Sequence, residues 1–166
     1  MTPHFGKFRG EVLNVLDPFG LGRIQVSVPG LLDNSTMAWA MPCLPGAGPS
    51  VGFFTIPPVG AKVWVEFERG DLDYPIWSGG FWGSGETPAP MGPTQAMTHV
   101  WAGDNFKIEI LDMPGAGTLA ITLTTPSGEA KLAADATSLE LSWGQSSVKL
   151  AVDGVSINGS NLKVLP

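Results

Sequence analysis

One stretch of the sequence, residues 48–52 with Ser50 at its centre, matches the Gly-x-Ser-x-Gly pattern of hydrolase nucleophiles. Such a nucleophile needs a strand before it, a helix after it and a histidine that accepts its proton. Pro57-Pro58 exclude a helix, and the only histidines, His4 and His99, lie in a predicted tail and a predicted linker. The segment therefore indicates a loop, and we predict no catalytic residue and no enzymatic activity.

A group of acidic side chains could bind a hard cation or act as catalytic carboxylates, and it comprises Glu66, Glu68, Asp71 and Asp73. The two glutamates share one face of a predicted strand, and the two aspartates suit a turn, so the group is typical of a solvated face. Cys43 is the single cysteine, so it forms no intrachain disulfide, and no histidine lies near it in sequence. We predict no metal site and no cofactor.

Nucleic-acid binding is a further possibility, because Trp64, Trp77 and Trp82 could stack on bases. That function requires a basic groove, whereas the net charge is −6 and the first 99 residues carry five basic against eight acidic side chains. The segment Gly20 to Arg23 lacks the third glycine of a dinucleotide loop. We therefore expect no nucleic-acid partner, and we expect the tryptophans in a barrel core or a subunit interface.

The elements that position these residues are centred on Pro57 to Trp82, which predicts two strands joined by an acidic turn. In the first, Lys62 to Glu68, every second residue is apolar, with Val63, Val65 and Phe67 on one face. The second, Ile76 to Trp82, contains Gly79-Gly80, and glycines inside a strand often mark a bulge.

Three further strands are predicted upstream, at residues 5–16, Arg23 to Val28 and Val51 to Ile56, with a short extended piece at Ala38 to Leu44. The residue types from Asp17 to Gly20 predict a type I turn, and those at 31–37 and 45–50 predict loops. About five short strands in roughly 80 residues, with glycine at the bends, fit a small barrel such as the OB-fold.

The composition changes after this region, since residues 1–99 hold 12 of the 15 aromatic residues and 12 of the 15 prolines. We predict an OB-fold domain over 1–84, a semi-rigid proline-containing linker over 85–99, and a third segment over 100–166. Charged residues make up only 14% of the chain, compared with about 25% in typical domains, which indicates a surface largely covered by partner chains.

The third segment consists of short strands in which aliphatic residues alternate with polar ones. A lone sheet would leave long strand edges unpaired. Three chains around one axis would let each edge pair with a neighbouring chain and would bury the aliphatic side chains in a shared core; a second small β-sandwich in a monomer is the alternative. The predicted trimer core is Ile108, Ile110, Leu119, Ile121, Leu123, Leu139, Leu141, Val148, Leu150, Val155 and Ile157.

The run VEFERGDLDYPIWSGGFWG at residues 65–83 strongly resembles the OB-fold domain of the phage baseplate spike family, which includes the VgrG proteins of type VI secretion. The same order of motifs recurs upstream, so the resemblance covers roughly Phe5 to Gly83; these motifs are Phe8-Arg9-Gly10, the Asp17 to Arg23 segment, Trp39-Ala40 with Pro42, and Pro57 to Gly60. It implies an all-β protein: an OB-fold barrel followed by an intertwined trimeric β-helix that forms a structural spike.

The resemblance also implies partners. We expect a homotrimer, a separate hub protein at the OB end and transient contact with the target envelope. A fused hub is not expected because about four residues precede the barrel, and residues 85–99 leave no room for the lysozyme domain of some spikes. A PAAR-like tip protein is expected to dock at Leu162, Lys163, Val164, Leu165 and Pro166.

The first ten residues lack the apolar run of a signal peptide, so we expect assembly in the cytoplasm and then incorporation into the baseplate of a virion or phage-tail-like particle. The alternative function is an OB-fold binding module for single-stranded nucleic acid or oligosaccharide. The net charge and the long β-rich second half argue against it.

Overall fold

A computed structural model of the chain describes residues 3–32, 38–159 and 161–165. Over these residues the protein is all-β apart from two single 3-10 turns, and it divides between Gly85 and Glu86 into two compact units. In the described part of the chain, no helix is long and apolar enough to cross a membrane.

The first unit contains a closed five-stranded barrel with the order β1-β2-β3-β7-β6, and β3 and β7 form its one parallel pair. This is the Greek-key barrel of an OB-fold. A separate two-stranded hairpin, β4 with β5, lies between β3 and β6 in sequence. The strands are β1 (Phe8–Asn14), β2 (Ile24–Ser27), β3 (Ala38–Pro42), β4 (Ala47–Gly48), β5 (Val51–Gly52), β6 (Lys62–Phe67) and β7 (Pro75–Gly80).

Strand alternation builds the barrel core, because alternate residues of β1, β2 and β6 point inward. Val63, Val65 and Phe67 are buried, as their spacing predicts. The predicted bulge is confirmed: the β6–β7 register shifts between Val63 and Val65, opposite Gly79 with its φ of 75°. The buried core comprises Val12, Ile24, Val26, Val28, Leu32, Ala40, Val63, Val65, Phe67 and Trp77.

The prediction of a strand over Val51 to Ile56 is wrong for most of its length. Only Val51–Gly52 is extended and paired, with Ala47–Gly48, and this hairpin is not part of the barrel. Glycines and prolines on both sides limit regular pairing, and Val51 and Phe54 are each 71% exposed. Most of the predicted loop at 31–37 lies outside the described residues; Leu32 forms an isolated bridge with Val28.

The second unit is one antiparallel sheet of eight strands in which each strand pairs with the next along the chain. The strands are β8 (Thr98–Ala102), β9 (Phe106–Leu111), β10 (Thr118–Thr125), β11 (Gly128–Ala134), β12 (Ser138–Trp143), β13 (Ser146–Ala151), β14 (Gly154–Ile157) and β15 (Leu162–Val164). The described residues form a single sheet here, so the β-sandwich alternative does not hold.

Two other expectations for this unit need correction. His99 lies in β8 rather than in a linker, because Thr98–Ala102 pairs along its whole length with β9. The six strands from β9 to β14 each use both edges within the chain, so these edges do not pair with a neighbouring chain. Short turns bring each strand back beside its predecessor, so the strand edges are paired within the chain. A partner chain is therefore needed to cover the face of the sheet and not the edges of these strands.

Candidate assembly surface

The eight strands align their apolar side chains in rows on one side of the sheet, which we call the apolar face. One row crosses all eight strands and consists of Trp101, Ile108, Ile121, Leu132, Leu141, Val148, Ile157 and Leu162. A second complete row consists of His99, Ile110, Leu119, Ala134, Leu139, Leu150, Val155 and Val164. A shorter third row contains Phe106, Leu123, Ala130 and Trp143. All eleven residues of the predicted trimer core lie in these rows.

The apolar face is open in the single chain. Leu141 is 60% exposed and Val164 57%, and no described residue of this unit is fully buried. In the barrel unit, by contrast, ten of the described hydrophobic side chains are buried. Exposed apolar surface on this scale marks an interaction site, so the face requires a cover that one chain does not provide.

The opposite face of the same sheet is polar. The described charged side chains of strands β9 to β13 all fall on it, and they are Lys107, Glu109, Glu129, Lys131, Glu140 and Lys149. Glu140 stands directly opposite Lys149, and Lys107 forms an ion pair with Glu109. Opposite charges across a strand pair are favourable, and this face is therefore suited to water.

Two turns shape the sheet. In the β11–β12 turn, Oδ1 of Asp135 accepts hydrogen bonds from the backbone N–H and hydroxyl of Thr137, each at 2.7 Å, and from the backbone N–H of Ser138 at 2.9 Å. These hydrogen bonds lower the pKa of Asp135, and the bond from the Thr137 hydroxyl has the largest effect. Gly154, at the start of β14, has a φ of 123°, and a Cβ there would collide with the carbonyl oxygen of Val164.

The predicted tip-docking residues lie on and beside β15, the last strand of the sheet. Leu162 and Val164 lie on the apolar face and are more than half exposed, and Leu165 is 68% exposed. Lys163 pairs with Ser156 through the backbone, whereas Pro166 lies outside the described residues. Among the strands that the structure describes, β15 pairs only with β14, so its outer edge is open.

In the barrel, Asp17 anchors the loop between β1 and β2. Its carboxylate accepts five hydrogen bonds, from Nε and Nη2 of Arg23 at 3.1 and 2.7 Å and from three backbone N–H groups at 2.8 to 3.2 Å. The Arg23 guanidinium holds the pKa of Asp17 well below its usual range, and the backbone bonds act in the same direction. Arg23 also lies over the rings of Phe19 and Trp39. Sequence reasoning assigned Asp17 to a turn and missed this anchoring role.

The three tryptophans considered for base stacking have different positions. Trp77 is buried, and its Nε1 donates to the carbonyl oxygen of Gly22 at 3.3 Å. Trp64 packs against Phe81 at 4.7 Å between ring centroids, with Arg9 over both rings. Trp82 is 65% exposed. They therefore do not form one stacking platform.

The other candidates for chemistry occupy turns and surface positions. Ser50 lies in the turn between β4 and β5 with a φ of 60°, and a short strand rather than a helix follows it. Glu66 pairs with Lys7 at 2.7 Å, and Oδ1 of Asp71 accepts the backbone N–H of Asp73. Cys43 is exposed. In residues 3–32, 38–159 and 161–165, no three potential metal ligands of one chain come together.

Comparison with protein families decides what the two units are. Residues 8–82 match the model of the type VI secretion system/phage-baseplate injector OB domain. Residues 99–163 match the phage baseplate V C-terminal trimerisation domain. The chain belongs to this baseplate injector family. No curated protein matches it.

The family assignment fits the geometry of each unit. The injector OB domain corresponds to the closed barrel, and the trimerisation domain begins in β8 and ends in β15, so it spans the sheet with the open apolar face. The resemblance indicated by the motifs at residues 65–83 is confirmed, and so is the all-β fold with an OB barrel at its N-terminal end. The protein is a baseplate component with a trimerisation domain.

Proposed function

We propose that this baseplate injector protein is the central spike of a contractile injection machine and that it acts as a homotrimer. The observation that carries the proposal is the apolar face: two complete rows of side chains cross eight strands, and one chain leaves them exposed or half-buried. If three sheets turn this face toward a common axis, each row is buried against the other two chains. The charged face then remains in contact with water.

The proposed role is mechanical rather than catalytic. A force along the spike would have to separate three sheets across their whole apolar faces, because the rows run without interruption from β8 to β15. Hydrophobic burial is roughly proportional to area, so the load is shared over the entire contact. The spike would pierce the target envelope when the machine contracts.

The two units would contact different partners. The barrel unit would dock under a separate hub protein in the baseplate of a virion or phage-tail-like particle. A small PAAR-like tip protein would dock on β15, where Leu162, Val164 and Leu165 are exposed and the outer strand edge is open. A strand edge beside an apolar surface offers a partner both backbone hydrogen bonds and side-chain contacts.

The test is to locate the protein in purified particles and to ask whether injection requires it. We expect an epitope-tagged copy at the baseplate end of the particle, and we expect particles without the protein to fail to puncture target cells. Complementation with Thr122→Asp, on the polar face, should restore puncture, whereas Ile121→Asp, on the apolar face, should not. Normal puncture without the protein would contradict the proposal.

A further inference from the structure

Within strands β8 to β15, the apolar face carries a single ionisable side chain among its described residues, and that residue is His99. It begins the second complete row and stands directly opposite Ile110. The other members of its row are aliphatic. An ionisable group in a surface that is otherwise prepared for burial calls for a ligand or another polar partner.

The imidazole of His99 has no side-chain hydrogen bond or ion pair within the part of the chain that the structure describes. Its strand neighbour on the apolar face is Trp101, whose ring lies 5.3 Å from that of Phe106. Asp112, two residues after Ile110, continues the same alternation, and its backbone N–H donates to the carbonyl oxygen of Met97 at 2.8 Å. The row therefore begins with a histidine, His99, and a carboxylate, that of Asp112, lies beside it. The rest of the row is apolar.

In the proposed trimer, three such histidines would come together. Strands in one sheet lie about 4.8 Å apart, so His99 stands one strand spacing from Ile110 and on the same face. If Ile110 side chains meet at a common axis, the longer His99 side chains reach that axis too. Their ring nitrogens then have one another, water or a bound ion as possible partners.

We propose that the three His99 imidazoles of the trimer bind one divalent transition-metal ion of the Zn²⁺ class. The proposal rests on the proposed trimer, because the described residues of one chain bring no three potential ligands together. Neutral imidazole is a preferred ligand of Zn²⁺, and three imidazoles with one water complete a tetrahedral site. The Asp112 carboxylates are positioning residues: they accept hydrogen bonds from the second ring nitrogens and offset part of the charge of the ion. The ion fastens the first strand of each sheet to those of the other two chains.

The experiment uses full-length protein that has been stripped with EDTA, dialysed into metal-free buffer and then given Zn²⁺. Bound zinc is measured by inductively coupled plasma mass spectrometry, and the mass of the same sample by sedimentation equilibrium. We expect one zinc ion per three chains and a higher melting temperature than in the stripped protein. Co²⁺ in place of Zn²⁺ should give the strong visible absorption of a tetrahedral site.

The matched variants use the only two histidines of the chain. His99→Gln should bind no zinc and lose the cobalt absorption while it keeps the mass of three chains. His4→Gln, in the barrel unit, should bind zinc as the wild type does. A wild-type protein of three chains that binds no more zinc than His99→Gln would overturn the metal site alone. A wild-type mass of one chain would overturn both the site and the proposed trimer.

Discussion

Oδ1 of Asp17 lies 2.7 Å from Nη2 of Arg23, and the carboxylate is only 4% exposed. It also holds three backbone N–H groups of its own loop. We therefore predict that Asp17→Asn lowers the melting temperature of the barrel at pH 7, because the amide keeps the shape but loses the charge that pairs with Arg23. Asp73→Asn, at an exposed carboxylate, is the control and should melt like the wild type. Thermal unfolding followed by tryptophan fluorescence measures both, and equal melting of all three proteins would contradict the anchoring role.

The same ion pair predicts a pH dependence. The pKa of Asp17 is lowered in the folded barrel, chiefly by Arg23, and it is about 3.9 in an unfolded chain. The unfolded state thus binds more protons at low pH, so the contribution of Asp17 is complete above about pH 5 and is lost progressively as the pH falls toward the folded pKa. The difference in melting temperature between wild type and Asp17→Asn should shrink between pH 5 and roughly pH 2. A difference that is constant over this range would rule out the charge as its cause.

The division of the buried core predicts how the two units behave when separated. All ten buried hydrophobic residues among those that the structure describes lie between Val12 and Trp77. A fragment that ends at Gly83 should therefore fold with a cooperative transition but lose most of the trimer stability. Circular dichroism melting tests whether the fragment folds cooperatively, and sedimentation equilibrium tests whether it still forms a trimer. A fragment that forms a trimer as heat-resistant as the full chain would place the assembly determinant in the barrel.

Side-chain alternation in the sequence was enough to find most of the strands but not all of them. Strand β6 and the strands around Ile108, Ile121 and Leu141 were predictable because large apolar residues alternate with polar ones. Strand β11 was missed because Ala130 and Ala134 lie on the apolar face while Ala133 lies on the other, so the alternation disappears.

The remaining errors arise from contacts between distant parts of the chain. Val51 to Ile56 is apolar and therefore looked like a strand, but only two of its residues find a partner. The sequence predicted His99 in a linker, whereas its pairing with Ile110 places it on the apolar face. The five hydrogen bonds of Asp17 depend on where β2 begins relative to the preceding loop, which a turn motif alone does not specify.

Gly154 is predicted to be essential for the end of the sheet. Alanine there would combine an unfavourable φ with a collision against the carbonyl oxygen of Val164, and we expect a cost of about 3 kcal/mol or more. The control is Gly144→Ala, at a φ of 57° with open space around it, with an expected cost of about 1–2 kcal/mol. Denaturant unfolding compares them, and hydrogen exchange should locate the loss at β14 and β15. Equal costs for the two variants would mean that β15 does not pack against Gly154 as described.

The docking proposal for β15 predicts which residues a tip protein needs. Co-purification of a tip candidate encoded beside this gene should succeed with the full chain and fail with a version lacking Leu162 to Pro166. A second version, Leu165→Asp, keeps the strand and should weaken recovery because it places a charge in the exposed apolar surface. Equal recovery by all three proteins would refute docking at this edge, and no recovery by any would favour a blunt end without a tip protein.

Two neighbouring residues of β10 separate the effect of the apolar face from that of the strand itself. Ile121 stands on the apolar face opposite Leu132, whereas Thr122 stands on the polar face opposite Lys131. Ile121→Asp would place three uncompensated carboxylates in the shared core, so we expect loss of the trimer or a melting temperature far below that of the wild type. Thr122→Asp adds the same charge beside a lysine and should leave assembly unchanged. If both variants assembled and melted alike, Ile121 would not face a shared core.

The most direct measurement is sedimentation equilibrium of the full-length protein at micromolar concentration. A chain of 17.4 kDa that covers its apolar face with two further copies should sediment as a single species of three chains. Ile121→Asp should abolish that species, and Thr122→Asp should retain it. A monodisperse monomer of the wild-type protein would contradict the account, because the two rows that cross β8 to β15 would then be stable while exposed to water.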